Sequence, residues 1–259
     1  MEPLLDNKVV FISGGSQGLG AAIARAAVRE GAGVVVTGRR PEPGEKLVAE
    51  FAEQGVAALF VQADVGDVAQ AQAAVARAVA EFGRVDCLVN SAGLTTRGTL
   101  LDTTPELFDA HIAVNLRGPF FTMQAVVKDM IRRGTGGTIV NVISIAELGG
   151  QPYLAPYVAA KAGLAGVTRN AAHAHRWDRI RINGLDIGWT DSEGEDATQR
   201  AFHGAGDDWR EKAAASVPMG KLGQVDEIAD FVVFLLSARS GVVTGSVIDW
   251  GQDVVGGSD

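Results

Sequence analysis

The sequence predicts an α/β fold in a single domain: a doubly wound parallel sheet of about seven strands with helices on both faces. Short β-branched runs alternate with longer Ala-rich segments along the chain, as in strand–helix–strand units. The strand runs are almost entirely apolar, which is typical of parallel strands covered on both faces. No linker, repeat or change of composition divides the 259 residues, so we expect one domain over 1–259.

Seven segments have the length and β-branched composition of buried strands. They are residues 8–14, 33–38, 57–64, 84–90, 136–144, 179–188 and 244–250.

Helices are predicted between these strands, and several carry recognisable ends. The predicted helical segments are 19–31, 43–54, 67–83, 103–134, a helix around Tyr157, and 225–237. Gly31 is expected to stop the first helix, Asp67 to cap the third, and Thr104 to cap the long fourth one with Pro105 at its first position. We expect residues 191–217, which are acidic and less regular, to be loosely structured.

Composition excludes several classes of protein. The formal charge is −8 without a basic block, so nucleic acid is not an expected partner. Cys87, the one cysteine, cannot form a disulfide within the chain, and its apolar context predicts a buried, unreactive thiol. The N-terminus does not resemble a signal peptide, and the apolar run near the end is too short to span a bilayer. We therefore expect a soluble cytoplasmic protein without membrane attachment.

A glycine-rich turn, ISGGSQGLG, directly follows the first predicted strand and opens the first helix. Gly14, Gly18 and Gly20 allow a tight turn and the close approach of a pyrophosphate to a helix N-terminus. A Gly-rich turn can also be only a turn, but its position between strand and helix favours a Rossmann-type dinucleotide site.

The end of the second strand reads VVVTGRRPE. An acidic residue here binds the ribose 2′-hydroxyl of NAD, whereas an arginine accommodates the 2′-phosphate of NADP. Gly38 stands at the acid's position and Arg39 and Arg40 follow, so we expect NADP to be favoured over NAD, with Arg39 as the main contact. The alternative is a pair of solvated arginines in a turn.

Tyr157 and Lys161 are four residues apart, which on a helix places them on one face. Pro156 suits a first helical position, so the pair is expected at the exposed start of a helix. Taken alone, the pair is also consistent with a half-buried tyrosine beside a solvated lysine.

Together these motifs resemble the classical short-chain dehydrogenase/reductase family over nearly the whole chain. The resemblance is carried by the Gly14–Gly20 spacing, the turn at Asp64, and NSAG after the fourth strand. It is also carried by Asn115 in the long helix and by Ser144, thirteen residues before Tyr157-x-x-x-Lys161. The chain departs from the family's usual Pro-Gly after strand six, which here is Ile187-Gly188.

The resemblance implies four catalytic residues. Tyr157 would be the general acid–base, and Lys161 would lower its pKa and hold the nicotinamide ribose. Ser144 would orient the substrate oxygen, and Asn115 would hold a water that links Lys161 to the bulk solvent.

The resemblance also implies a cofactor site at the carboxyl edge of the sheet. Its expected residues are Gly14, Ser16, Gln17, Gly18, Leu19, Gly20, Arg39, Asp64, Val65, Asn90, Ala92, Gly93, Tyr157, Lys161, Gly188 and Ser192.

The substrate is expected to be a small molecule, bound by Ser144, Glu147, Gln151 and Trp189 under a mobile lid at about 189–217. Glu147 and Gln151 resemble what sugar and polyol members of the family carry, and Trp189 would offer an apolar platform for a ring. We therefore expect the interconversion of a sugar or polyol secondary alcohol and a ketone, or of a lactol and its lactone. The alternatives are a 3-oxoacyl-thioester reductase, a reductase of a hydroxysteroid or small cyclic ketone, and a non-catalytic nucleotide-binding sensor or scaffold.

The histidines and the acidic cluster of the chain do not have the spacing of metal ligands. His173 and His175 point to different helix faces, and the acidic cluster Glu193, Glu195 and Asp196 suits a solvated lid, so no metal site is predicted. Family members commonly form tetramers through the Tyr157 helix and the helix before it, so a homotetramer is expected. Gly163 and Gly166 weaken that helix, and a closely packed helix face is one explanation.

Overall fold

A computed structural model describes residues 2–254 and confirms the predicted α/β architecture. Seven parallel strands form one sheet in the order β3-β2-β1-β4-β5-β6-β9, and β7 pairs with β8 in a separate two-residue ladder. The strands are β1 (Val9–Ser13), β2 (Gly33–Gly38), β3 (Ala58–Gln62), β4 (Cys87–Asn90), β5 (Gly137–Val142), β6 (Ile180–Ile187), β7 (Thr190–Asp191), β8 (Gly223–Gln224) and β9 (Val247–Trp250).

The helices cover both faces of the large sheet. They are α1 (Gly18–Arg29), α2 (Pro41–Glu53), α3 (Val68–Phe82), α4 (Pro105–Ile112), α5 (Gly118–Arg133), α6 (Ala155–His175), α7 (Glu193–His203), α8 (Trp209–Ala215) and α9 (Val225–Leu236). One apolar core lies between the sheet and α1, α2 and α9, and the other between the sheet and α3, α5 and α6. This is one domain of the Rossmann type, with a three-layer arrangement.

The predicted helix caps are present. The Asp67 carboxylate accepts hydrogen bonds from the backbone N–H groups of Ala69 and Gln70, and the Thr104 hydroxyl accepts one from Leu107 N. These contacts satisfy N–H groups that have no partner within the first helical turn.

The long helix predicted over 103–134 is in fact three segments. A five-residue π-helical turn, Ala113–Arg117, separates α4 from α5 and contains the buried side chain of Asn115. Short π-helical insertions of this kind are frequent at functional sites because they redirect one side chain. Here the insertion turns Asn115 toward the loop that follows β4.

The segment expected to be loose, 191–217, is mostly helical. It contains α7 and α8, and Trp209 at the start of α8 is buried in a small apolar cluster with Ala213 and Leu222. Trp209 Nε1 also donates a hydrogen bond of 2.7 Å to Asp196 on α7. The expectation of a loose segment is therefore wrong, because a tryptophan packs the two helices together.

The remaining compositional predictions concern Cys87 and membrane spans. Cys87 is a free, buried thiol in β4, and burial raises its pKa to about 12, in agreement with an unreactive cysteine. Within residues 2–254, none of the helices combines the length and the apolar character that a bilayer crossing requires.

The sheet order places the candidate functional residues at one edge. The chain runs outward from β1 to β2 and β3, then returns to β4 on the other side of β1. Ligands of open α/β sheets bind at such a reversal, beyond the carboxyl ends of the strands.

Candidate active site

The glycine turn after β1 is closely packed against neighbouring backbone on one side and open on the other. Gly14 has φ +71°, and a Cβ there would lie 2.6 Å from the backbone of Ala92. A Cβ on Gly20 would collide with the carbonyl oxygen of Gly14. Gly18, with φ +53°, has no heavy atom within 4 Å of its Cβ position among the described residues. The three glycines therefore build a cradle whose open side any larger residue would obstruct.

The cradle meets the N-terminus of α1. Gln17 occupies the cap position, and its side chain makes no capping hydrogen bond within the described part of the chain. The first N–H groups of α1 therefore remain available to an anion, as in dinucleotide sites. Leu19 packs half-buried against the apolar core beneath the turn and anchors it. These residues fit a cofactor pyrophosphate.

The end of β2 has glycine at the position where an acid would bind the ribose of NAD. A Cβ at Gly38 would collide with the Ser16 hydroxyl, so a side chain there would require that hydroxyl to move. Arg39 and Arg40 are both exposed. Arg40 donates a hydrogen bond to Gln17, whereas the Arg39 guanidinium forms no ion pair with any residue in 2–254.

Asp64 and Val65 form the turn after β3. The Asp64 carboxylate accepts a hydrogen bond of 2.9 Å from Gly66 N, and Asp64 N donates one of 3.0 Å to Gln70 Oε1. Val65 packs against α5, where a Cβ at Gly118 would lie 2.5 Å from the Val65 carbonyl oxygen. The turn is thus held rigidly at the same edge as the glycine cradle.

Asn90, at the end of β4, belongs to a buried amide network. Its Nδ2 donates to Asn141 Oδ1 at 2.8 Å, and Asn141 Nδ2 donates to the Thr168 hydroxyl at 2.8 Å. The network joins β4, β5 and α6. Asn90 Oδ1 is buried and has no hydrogen-bond partner among the described residues. Ala92 and Gly93 follow, with Ala92 beneath Gly14.

Asn115 holds the loop after β4. Its Oδ1 accepts a hydrogen bond of 2.9 Å from Leu94 N, and its Nδ2 donates to Leu94 O at 2.9 Å and to His111 Nδ1 at 3.2 Å. These contacts determine the amide orientation, so His111 Nδ1 is an acceptor and its Nε2–H faces the Thr96 carbonyl at 3.0 Å. His111 is fully buried, which lowers its pKa and favours this neutral ring.

Tyr157 and Lys161 lie on one face of α6, as predicted, but both are buried. Tyr157 is 8 % exposed and Lys161 3 % exposed. The Lys161 ammonium donates a hydrogen bond of 2.7 Å to Val142 O at the end of β5 and lies 5.6 Å from the centre of the Tyr157 ring. The expectation of an exposed helix start is wrong, because the start of α6 packs into the crevice against β5 and the Ala146 turn.

The ionisation of this pair also differs from the sequence expectation. Burial raises the pKa of Tyr157 to about 12, although the Ser144 hydroxyl and the Arg97 charge act to lower it. Burial lowers the pKa of Lys161 to about 8, and the Asp186 carboxylate opposes that change. The expected lowering of the Tyr157 pKa by Lys161 is therefore wrong for the protein alone, since desolvation of the phenolate outweighs the neighbouring charges.

Ser144 and the nearby polar residues occupy the turn between β5 and α6. The Ser144 hydroxyl accepts a hydrogen bond of 3.2 Å from Ala146 N. Its interaction with the Tyr157 hydroxyl acts to lower the pKa of Tyr157. Glu147 is half-buried on the α6 side, where its Oε1 lies 4.0 Å from Arg169. Gln151 is half-buried in the same connection, and its carbonyl accepts a hydrogen bond of 2.9 Å from Leu154 N.

The connection after β6 brings Gly188, Trp189 and Ser192 to the same edge. Gly188 N donates to Trp250 O at 3.0 Å, and a Cβ at Gly188 would lie 3.0 Å from Gly251 Cα. Trp189 is 39 % exposed, and its Nε1 donates to Glu195 on α7 at 2.8 Å. The Ser192 hydroxyl caps α7 by accepting a hydrogen bond of 3.1 Å from Glu195 N.

A cluster that the sequence did not reveal joins three segments around the cleft. Arg97, in the loop after β4, places Nε 3.3 Å and Nη2 3.1 Å from His203 Nε2 at the end of α7. Its guanidinium also lies 5.2 Å from the centre of the Tyr153 ring and 5.9 Å from that of Phe202. The charge of Arg97 favours the phenolate of Tyr157. No local pattern links these residues, which are far apart in the sequence.

Asp186 is a further residue near the site that the sequence did not indicate. It is a fully buried carboxyl group in β6, next to the crevice. A signal for it exists, because an acidic residue inside an otherwise apolar strand is unusual.

The described residues 2–254 contain no group of three or more His, Cys, Asp or Glu side chains with the geometry of a metal site. His175 pairs with Asp178 at 2.9 Å, and the Asp196 carboxylate is shared between Arg200, Trp209 and Arg210.

Comparison with known proteins agrees with this geometry. The profile of a family described as enoyl-(acyl carrier protein) reductase matches residues 14–251. L-rhamnose 1-dehydrogenase (NAD(P)(+)) of Azotobacter vinelandii is 36 % identical over 249 residues, covering 94 % of both chains. 3-Oxoacyl-(acyl-carrier-protein) reductase of Staphylococcus aureus is 33 % identical over 242 residues, covering 93 % of this chain and 95 % of that one.

The crystal structure of levodione reductase superposes with a TM-score of 0.88 at 32 % identity, covering 95 % of this chain and 96 % of that chain. The glycine cradle, the Tyr157–Lys161 pair and these relatives lead to one conclusion. The chain belongs to the short-chain dehydrogenase/reductase family and is an NAD(P)-dependent oxidoreductase that interconverts an alcohol and a carbonyl compound.

Proposed function

We propose that the substrate is polyhydroxylated, a sugar or polyol, whose secondary alcohol or lactol group is oxidised to a ketone or lactone. The observation that carries this proposal is the set of hydrogen-bonding side chains near Tyr157. The Arg97 guanidinium lies 5.2 Å from the centre of the Tyr153 ring, and Glu195 accepts a hydrogen bond of 2.8 Å from Trp189 Nε1. The charges of Arg97 and Glu195 both act on the Tyr157 hydroxyl, with opposite effects on its pKa. Such a set of side chains suits a ligand that carries several hydroxyl groups. The relative named L-rhamnose 1-dehydrogenase supports a sugar.

Tyr157 exchanges the proton of the substrate oxygen, and Ser144 donates a hydrogen bond to that oxygen and orients it. The nicotinamide cofactor supplies the hydride chemistry and, when oxidised, a positive ring. Because burial keeps the pKa of Tyr157 at about 12 in the protein alone, ionisation of the phenol depends on such added positive charge together with Lys161. Lys161 also holds the ribose, and Asn115 positions the water that connects Lys161 to the solvent.

The cofactor residues are those of the cradle and of the strand ends that surround it. The pyrophosphate would be held by Gly14, Ser16, Gln17, Gly18, Leu19 and Gly20. The adenosine would be held by Asp64, Val65, Asn90, Ala92 and Gly93, and the nicotinamide end by Gly188 and Ser192. NADP is preferred over NAD, because Gly38 leaves no acid beside the ribose and Arg39 has no ion-pair partner within residues 2–254.

Glu147, Gln151 and Trp189 contribute to substrate binding in this proposal, together with Ser144. Residues 189–217 form a lid that closes over the substrate and excludes water. The contacts between Arg97 and His203 support this role, because they attach the end of α7 to the rim of the crevice.

The second candidate is reduction of a 3-oxoacyl thioester, which the Staphylococcus aureus relative supports by its name. A charge argument weighs against an acyl carrier protein as partner. Residues 191–217 contain seven acidic and three basic residues, a net charge of −4, and would repel an acidic carrier near the entrance.

The assembly is proposed to be a cytoplasmic homotetramer. Phe108 on α4 and Phe120 and Ile131 on α5 are exposed apolar side chains, which suit contacts with other subunits. Gly166 on α6 has no atom within 4 Å of its Cβ position in the described chain, so α6 offers a flat surface for close approach. Gly163, in contrast, packs against Leu116 within the subunit.

The experiment that tests the substrate is a spectrophotometric screen at the nicotinamide absorbance band. Sugars, polyols, 3-oxoacyl thioesters and cyclic ketones are each assayed with NADP(H) and NAD(H). We expect the highest kcat/KM for a sugar or polyol with NADP. Highest kcat/KM for an oxoacyl thioester would transfer the assignment to the second candidate.

A further inference from the structure

His111 is a buried histidine for which the proposed mechanism has no role. It is 0 % exposed near the end of α4, whereas the other three histidines of the chain are at least partly exposed. Each ring nitrogen of a buried imidazole needs a hydrogen-bond partner, because water is not there to supply one. Both partners of His111 belong to the candidate active site.

The first partner is the side chain of Asn115, four residues further along the chain. Asn115 Nδ2 donates one hydrogen to Leu94 O at 2.9 Å and the other to His111 Nδ1 at 3.2 Å, while its Oδ1 accepts from Leu94 N at 2.9 Å. An amide nitrogen carries two hydrogens, and both are used here. Without His111 one of them would be left unpaired in the protein interior, which is unfavourable.

The second partner is the backbone of the loop after β4. His111 Nε2 lies 3.0 Å from Thr96 O and donates its hydrogen to that carbonyl. Because Nδ1 accepts a hydrogen bond, the ring is neutral, and burial favours this state by lowering the pKa of His111. The loop is therefore held at two points, at Leu94 by Asn115 and at Thr96 by His111.

The same loop is bonded to the start of α6. Gly98 N donates a hydrogen bond of 2.9 Å to Tyr153 O, and Ala155 N donates one of 3.0 Å to Gly98 O. Ala155 is the first residue of α6, two positions before Tyr157. The loop that His111 holds is thus in direct contact with the helix turn that carries Tyr157.

His111 also packs against Tyr157 itself. The centres of the two rings are 6.2 Å apart and their planes meet at 81°, an edge-to-face arrangement that aromatic pairs prefer. The buried residues that cluster with Tyr157, Ala146 and Leu154, are aliphatic. The imidazole therefore limits how the Tyr157 ring can tilt.

We propose that His111 is a positioning residue that acts through Tyr157 and Asn115, because its ring holds the Asn115 amide, the loop after β4 and the Tyr157 phenol in one arrangement. Proton transfer requires the two reacting atoms to lie within hydrogen-bond reach. A misplacement of about 1 Å can lower a rate by about 10²-fold. This inference rests on the proposed function, in which Tyr157 exchanges the proton and Asn115 positions a water.

The kinetic test compares two variants with side chains of nearly equal size, His111→Leu and His111→Asn. Leucine removes both hydrogen bonds of the ring, whereas the asparagine carbonyl oxygen can replace Nδ1 as the acceptor for Asn115. We expect kcat to fall by about 10- to 100-fold in His111→Leu and to be at least about threefold higher in His111→Asn than in His111→Leu. The substrate KM and the Kd of NADP should change by less than about twofold in both variants, since the lost interaction serves the transition state.

A merely structural role of His111 predicts a different order. A buried leucine is tolerated in a protein interior better than a buried asparagine, so His111→Leu would then be the more stable and the more active variant. Thermal unfolding of both variants and kcat well below their Tm values measure the two effects. Wild-type kcat in folded His111→Leu, or a kcat of His111→Asn no higher than that of His111→Leu, overturns the proposal.

NMR of the protein without substrate or cofactor tests the contacts directly. The histidines are labelled with ¹⁵N, and the His111 signals are those that remain when His173, His175 and His203 are replaced by glutamine. We expect the ring hydrogen on Nε2 and none on Nδ1, and we expect the Nδ1 signal to move in Asn115→Ala, which removes its donor. A hydrogen on Nδ1, or an unchanged Nδ1 signal in folded Asn115→Ala, overturns the proposal even if the His111 variants do not fold.

These measurements separate the inference from the proposed function. If Tyr157→Phe is inactive and folded His111→Leu is fully active, the positioning role of His111 fails and the proposed function stands. If Tyr157→Phe is fully active, the proposed function fails, and the positioning role fails with it because it acts through Tyr157.

Discussion

Lys161 is tied to Val142 by a 2.7 Å hydrogen bond from its ammonium to the backbone carbonyl at the end of β5. This bond joins α6 to the sheet at the point where the crevice opens. It draws a charged side chain to the floor of the site instead of leaving it in solvent, and it leaves the ammonium 5.6 Å from the Tyr157 ring centre. The acid–base chemistry of the site follows from this placement.

Tyr157→Phe should abolish turnover and leave cofactor binding intact. The ring packs in the crevice through its apolar body, so removal of one hydroxyl preserves the fold while the proton donor is lost. We expect kcat to fall by about 10² to 10⁴ or more. Turnover and the fluorescence of bound reduced cofactor measure the two effects. Tyr153→Phe is the matched control, because Tyr153 is the only other tyrosine, and full activity in Tyr157→Phe would disprove the assignment.

Arg39→Ala should weaken NADP binding more than NAD binding. A charge-assisted contact to the 2′-phosphate is worth about 1.5–3 kcal/mol, or roughly 10- to 150-fold in Kd. Isothermal titration with each cofactor measures the difference. Arg40→Ala is the control, because Arg40 already pairs with Gln17. Tighter binding of NAD than of NADP by the native protein would contradict the argument from Gly38 and Arg39.

The stability of the protein should depend on pH through Asp186. Burial raises the pKa of this group from 3.8 to about 7, so its contribution is fully present below pH 4 and is lost as pH rises through 7. Asp186→Asn removes this dependence. The Tm of the variant relative to wild type should therefore rise between pH 4 and pH 8, by roughly 2–4 °C for each kcal/mol. A Tm difference independent of pH would contradict a titrating Asp186.

Arg97→Ala should raise the substrate KM by roughly tenfold, because it removes a charged hydrogen-bonding group from the rim and the attachment of α7. Steady-state kinetics with the best substrate of the screen measures this effect. Arg77→Ala is the control, since Arg77 pairs with Glu81 on the outer surface of α3. An unchanged KM in Arg97→Ala would exclude Arg97 from the substrate site.

Cys87 should resist thiol reagents in the native protein. Burial raises its pKa to about 12, so the thiolate fraction at pH 8 is on the order of 10⁻⁴, and the side chain is also shielded by the sheet. A chromogenic disulfide reagent should report no reaction until denaturant is added, and then one thiol per chain. Rapid labelling under native conditions would show that β4 opens readily.

Local signals explain why much of the fold was predictable. The seven strands are continuous apolar runs. The side chains of Asp67 and Thr104 accept hydrogen bonds from backbone N–H groups two or three residues away. The Gly14–Gly20 turn is equally local, since its residues are neighbours in the chain. Patterns of this range are visible in the sequence because the interacting atoms lie within one or two helical turns of each other.

Contacts between distant segments were not predictable. Arg97 and His203 are 106 positions apart, and only the docking of α7 on the crevice brings them together. The Ser16 hydroxyl lies at the place that a side chain on Gly38 would occupy, which no local spacing reveals. The π-helical turn at Asn115 likewise depends on packing, since the sequence there reads as continuous helix.

Local patterns in the chain account for the sheet, the glycine cradle and the spacing that puts Tyr157 and Lys161 on one helix face. How deeply that face is buried, and with it the pKa of both groups, depends on how the helices pack on the sheet. The cause is desolvation, because the energy of a charge depends on all the atoms that replace water around it, and those atoms come from every part of the chain. Asp186 shows the same dependence, since the raised pKa of this strand residue comes from its burial and from Glu147 and Asp249, which lie far from it in the sequence.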